Sequence, residues 1–352
     1  MRLSRWHLGA LVLLAAMIVV GAFLVVGDQP SPQPSPEPAP GPAAPRVVVA
    51  MGDSTVSGEG AGDYETGTNG ERGNWCHRSR KALVHNIKLP GVERTINLAC
   101  SGAASAQVGL GDAIQYTEPS QAGRLAEIAR TERVVAVVIA VGANDDPAFA
   151  HSLDACVRAR FGGTPCSQKL SEDWQRKVDA MVPKATRAVR DVNRVLTDAG
   201  YGPDDYQLVL QSYAAPIAPN MVSELQNLSG CPFKTEDLRW VRDVAVPTLT
   251  AGLRKVADQT DARFLDLSSA GTGHEACTNR TEPTREWFRR LAVSWQDLND
   301  DQRAGHALQE SFHPNALMHA EIGRCLSEFL ATSERRAACL LGGDGQLHAA
   351  PS

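Results

Sequence analysis

Val47-Val48-Val49-Ala50-Met51-Gly52-Asp53-Ser54 is the stretch that decides the reading of this chain. Its apolar half reads as a buried strand. Gly52 permits a tight turn, and a serine leaving a strand at such a turn projects its hydroxyl from the edge of a sheet. An α/β fold places nucleophiles there, at the carboxyl ends of its strands. The triplet alone is also ordinary turn chemistry, because Asp and Ser are common turn residues.

Working outward, the elements alternate. Strands are expected at 46–51, 93–98, 134–141, 206–211 and 262–267, with helices at 121–131, 172–199, 238–259 and 315–329. In the second helix Val178, Met181, Val182, Ala185, Val189, Val192 and Val195 recur at helical spacing, which marks a core face. Strands alternating with helices predict an α/β fold of three layers, α/β/α, around a mostly parallel five-stranded sheet. Ser57-Gly58-Glu59-Gly60-Ala61-Gly62 reads as a mobile loop, and no Gly-Lys-Ser/Thr follows to make it a phosphate cradle.

Three later segments sharpen the first. Cys100-Ser101-Gly102-Ala103 and Val141-Gly142-Ala143-Asn144-Asp145 each follow a predicted strand, and Ser311-Phe312-His313-Pro314-Asn315 lies near the C-terminus. In order and context these four blocks resemble those of the SGNH hydrolases, the GDSL esterases and lipases, above all secreted actinobacterial ones. The resemblance runs from about Val47 to Leu330 and implies a sheet of flavodoxin-like order.

It also implies roles. Ser54 would be the nucleophile, a hydroxyl too weak to act without a positioned base. His313 would be that base and later the acid for the leaving group; His306 and His319 lie near it in sequence but outside the motif. The oxyanion hole would be the backbone N–H groups of Ser54 and Gly102 with the side-chain amide of Asn144. Glu310 stands where the family usually has the aspartate that orients the histidine; some members of this branch use a backbone carbonyl instead. Asp53 is expected to hold the nucleophile turn by local hydrogen bonds. Trp75, Trp287, Phe288 and Trp295 are candidates for an acyl pocket or for plain packing.

The N-terminus points to export. Residues 1–7 carry Arg2 and Arg5, and 8–27 form an uncharged, mostly apolar stretch of spanning length. Positive flanks face inward, so the rest of the chain would lie outside. Residues 8–27 are read as an uncleaved transmembrane anchor, with a cleaved signal peptide as the alternative. Residues 28–45 form a Pro-rich linker, stiff and extended at about 3.1 Å per residue. The hydrolase domain is placed at 46–335 and a C-terminal tail, disordered beyond Cys339, at 336–352.

Eight cysteines, all beyond the apolar stretch, suit an oxidising compartment. Cys156 and Cys166 bracket a short loop and are expected to pair. The resemblance suggests Cys76–Cys100, Cys156–Cys166 and Cys231–Cys277, which leaves Cys325 and Cys339 for each other. No Cys-x-x-Cys or His-Glu-x-x-His supports a metal, and no cofactor is implied. The net charge of −5 gives no basic footprint for nucleic acid. The expected partners are an ester substrate and, through the N-terminal helix, a membrane; the domain itself is expected to be a monomer. The reading is thus an exported carboxylic ester hydrolase working through a covalent acyl-enzyme. An envelope carbohydrate O-deacylase or acyltransferase is the alternative, and a non-catalytic envelope-binding module a third.

Overall fold

The computed structural model describes residues 38–298 and 303–352. Seven strands form one sheet: β1 (Arg46–Gly52), β2 (Arg94–Asn97), β3 (Arg133–Ala140), β4 (Gln207–Gln211), β5 (Arg263–Asp266), β6 (Arg336–Leu341) and β7 (Leu347–Pro351). Their order is β2-β1-β3-β4-β5-β6-β7, with every neighbour parallel except β6 and β7. The first five strands keep the expected 2-1-3-4-5 order. Val47 to Gly52 are all buried, although alternate side chains in a strand point to opposite faces. The sheet is therefore covered on both sides, the middle layer of an α/β/α arrangement.

Helix Trp174–Asp198 packs against Gln121–Thr131 and Val246–Thr260, and its Val178-to-Val195 stripe is buried as its spacing predicts. The helix expected over 238–259 is interrupted. Thr235–Trp240 passes through a π-helical turn, Val241–Ala245, into Val246–Thr260. Pro247 has no N–H for the usual bond one turn back, and the wider turn absorbs that loss.

The five-strand expectation is corrected to seven, and the tail is not disordered. β6 lies parallel beside β5, and β7 folds back on β6 through Gly342–Gln346. Ala337, Cys339 and Leu347 are buried, and Cys339 is bridged to Cys325 on helix Ala316–Leu330. Neither strand carries a β-branched residue, and the intervening glycines read as a break rather than a hairpin. The other three bridges, Cys76–Cys100, Cys156–Cys166 and Cys231–Cys277, are as the resemblance implies. The predicted spanning segment 8–27 and most of the linker lie outside the described residues. Among the described residues no helix is long and apolar enough to cross a membrane.

Candidate active site

The site is built at the carboxyl ends of β1, β2 and β3. At the end of β1, Gly52 has φ +132°, and a Cβ there would run into the carbonyl oxygen of Ala140. Only glycine fits a turn so close to the neighbouring strand. The Gln121 side-chain amide clamps Gly52 at both ends, accepting from its N–H at 2.7 Å and donating to its carbonyl at 2.8 Å. Asp53 caps the short helical turn Ser54–Ser57, accepting from Thr55 N–H (3.0 Å) and Thr55 Oγ1 (2.8 Å). Its other oxygen accepts from the Tyr213 hydroxyl at 2.5 Å. Burial raises the Asp53 carboxyl pKa, against the pull of these bonds.

The second and third blocks meet beside Ser54. Gly102 has φ +80°, so its conformation rather than its space selects glycine. Asn144 Nδ2 donates to the Ala103 carbonyl at 3.2 Å, which joins the two loops. The Tyr213 hydroxyl accepts from Ala143 N–H at 3.3 Å while donating to Asp53, and so links the Asn144 loop to the nucleophile turn. The backbone N–H groups of Ser54 and Gly102 have no acceptor among the described residues.

His313 completes the group. Its Nε2 lies 2.8 Å from Ser54 Oγ, and its Nδ1 lies 3.1 Å from the Ser311 carbonyl. A carbonyl can only accept, so Nδ1 carries the proton and Nε2 presents a lone pair to the serine hydroxyl. Backbone bonds from Arg289 N–H to His313 O, from Phe312 N–H to Arg289 O and from Asn315 N–H to Trp287 O strap this segment in place. Asn315 caps helix Ala316–Leu330, and Phe312, at φ +61°, packs edge-on against Phe233.

Two expectations are corrected here. The Glu310 carboxylate does not reach His313: it accepts from the Tyr64 hydroxyl at 2.6 Å and from Arg289 at 2.7 Å. The Ser311 carbonyl occupies the ring nitrogen that Glu310 was expected to hold. The glycine-rich segment after Ser54, expected as a mobile loop, is instead packed into the interior. Ser57 to Ala61 are buried, a Cβ on Gly60 would press on His313 Cβ and Pro314 O, and Glu59 is fully enclosed.

Sequence reading also missed Gln121, Tyr213 and Glu59. Each acts across the fold, and no local motif marks it. Of the aromatic candidates, Phe288 lines the cavity in front of Ser54. Trp75 and Trp287 instead stack on His306 and His274, and Trp295 is exposed. That cavity encloses about 590 Å³ and has Phe149, Leu153, Val157, Leu291 and Ile322 among its apolar walls. Cys156, Cys166 and Asp237 come close enough to suggest a metal cluster, but both sulfurs are committed to a disulfide.

A hydroxyl and an imidazole in contact, with unpaired N–H groups beside them at the edge of a parallel sheet, define a hydrolytic site for acyl transfer. The chain belongs to the GDSL-like lipase/acylhydrolase family, whose model matches residues 50–321. It is accordingly a carboxylic ester hydrolase. It is 24% identical over 274 residues to Lipase 2 of Streptomyces coelicolor, covering 76% of this chain and 80% of that one. It also resembles two solved structures. The extracellular lipase of Streptomyces rimosus has a TM-score of 0.48 at 20% identity, covering 77% of this chain and 93% of that one. Phospholipase A1 of Streptomyces albidoflavus has a TM-score of 0.47 at 21% identity, covering 79% and 95%.

Proposed function

We propose that the protein is an exported serine esterase or lipase that cleaves acyl esters through a Ser54 acyl-enzyme. The observation that carries this reading is the 2.8 Å contact between Ser54 Oγ and a His313 Nε2 whose other nitrogen is occupied by a carbonyl. Ser54 Oγ attacks the ester carbonyl carbon and passes its proton to Nε2. The oxygen that gains charge is received by the N–H groups of Ser54, Gly102 and Asn144. As the C–O bond breaks, the alcohol leaves with the proton from Nε2. Water then repeats the sequence and frees the acid.

The apolar walls of the cavity favour a long acyl chain over acetyl. Export is supported by four disulfides, bonds that persist in oxidising compartments. Residues 8–27 would direct it, as an anchor or a cleaved signal, and N-terminal sequencing of the native product separates the two.

Two measurements test the reading. A fluorophosphonate ester should add to the peptide containing Ser54, and an unlabelled Ser54 would sink the mechanism. On p-nitrophenyl esters from acetate to palmitate, kcat/KM should rise with chain length. A maximum at acetate would favour the envelope O-deacylase instead.

A further inference from the structure

Glu59 is fully buried, lies beside the site and has no part in the steps above. Its two oxygens lie 2.8 and 2.9 Å from His77 Nδ1, and Oε2 also accepts from Ser101 Oγ and from Gln309 Nε2, each at 2.8 Å. These donors come from three separate segments. His77 adjoins the Cys76–Cys100 bridge, Ser101 directly precedes Gly102, and Gln309 lies on the segment that turns into His313. Glu59 itself is on the chain leaving the Ser54 turn, where its N–H donates to the Ser54 carbonyl at 3.1 Å. One carboxylate thus ties the nucleophile turn to the Gly102 and His313 segments.

A buried carboxylate is costly unless hydrogen bonds replace its water, and three side chains donate to this one. Burial acts to raise its pKa, but the His77 bonds and the other donors outweigh that and hold it below the ordinary carboxylate range. The group is ionised at neutral pH. His313, meanwhile, has a neutral carbonyl on Nδ1, so its orienting partner supplies no full charge to the imidazolium that forms during acyl transfer. Glu59 and Asp53 are buried carboxylates that interact electrostatically with His313.

We propose that Glu59 is a positioning residue for the Ser54–His313 reaction. Its carboxylate fixes the Gly102 and His313 segments against the nucleophile turn and supplies negative charge to the His313 imidazolium that a triad acid would otherwise provide. The inference rests on Ser54 and His313 carrying the chemistry.

Glu59→Gln keeps the shape and removes the charge. Its kcat on a p-nitrophenyl ester should fall about tenfold or more with KM within about twofold, the pattern of an interaction made in the transition state. The acid limb of kcat/KM should also move to lower pH, because an anion that favours imidazolium is gone. His77, Tyr64, Tyr116 and His313 face Glu59, and Asp53 and His319 face His313; all are unchanged in this variant. A purely structural Glu59 would lower the melting temperature and leave the limb in place.

Gln309→Met unties the His313 segment while keeping the Glu59–His77 pair, and Ser101→Ala does the same for the Gly102 segment. Each should lose kcat several-fold with the limb unmoved. Wild-type kcat and limb in Glu59→Gln overturn the proposal. If that variant does not fold, wild-type kcat in both others overturns it. An active wild type with an inactive Ser54→Ala confines such a failure to Glu59. An active Ser54→Ala removes the mechanism and this proposal together.

Discussion

Ser311 lends His313 a backbone oxygen where the sequence motif leads one to expect a side-chain acid. A carbonyl fixes the tautomer as well as a carboxylate does, and chain connectivity holds it in place. Glu310 meanwhile braces Tyr64, whose hydroxyl accepts from Gly60 N–H at 3.0 Å, and Gly60 packs against His313. The account therefore expects Glu310→Gln to keep kcat within a few-fold of wild type, because an amide oxygen can still accept from Tyr64. A loss of orders of magnitude in steady-state hydrolysis would return Glu310 to the orienting role. The gathering of Ser54, Gly102, Asn144 and His313 at one place was legible because each sits in a short local motif after a strand or before a helix. Glu59, Gln121 and Tyr213 were not, because their partners lie far along the chain: Gln121 meets Gly52, and Tyr213 meets Asp53.

The elements were legible where pattern and propensity agree. β1 and β3 are built on unbroken apolar runs, Val47 to Met51 and Val134 to Ala140, and helix Gln121–Thr131 has the bounds its sequence predicts. They were not legible where stability comes from packing. β6 and β7 read as a tail by composition, yet they cover the edge that β5 would otherwise expose. Ending the chain after Arg335 should thus expose that edge and leave Cys325 without its partner. Loss of a native bridge costs about 2–5 kcal/mol in small secreted domains. The truncated chain should show a lower melting temperature in a thermal scan. An unchanged melting temperature would make residues 336–352 a dispensable tail after all.

At the scale of the whole molecule, ordered loops at one sheet edge depend on a buried polar interior, and that interior is expected to limit stability in acid. His319 is fully enclosed behind the site, its Nδ1 accepting from Leu83 N–H at 3.1 Å. Burial, with the nearby His313, pushes its pKa down to about 3. An unfolded chain binds a proton at this residue below about pH 6.5, while the folded one does not until about pH 3. The unfolded state therefore gains protons first as pH falls, and folding stability is lost across that window. His319→Gln should lose less melting temperature than wild type between pH 7 and pH 4; parallel profiles would show that His319 does not set the limit. The central claim is that Ser54 performs the chemistry on this scaffold. The most direct measurement is steady-state hydrolysis of a p-nitrophenyl ester by Ser54→Ala, with circular dichroism confirming the fold. Turnover should fall by about a thousandfold or more, as for a nucleophile acting as part of a unit. Full activity in a folded Ser54→Ala protein would contradict the account.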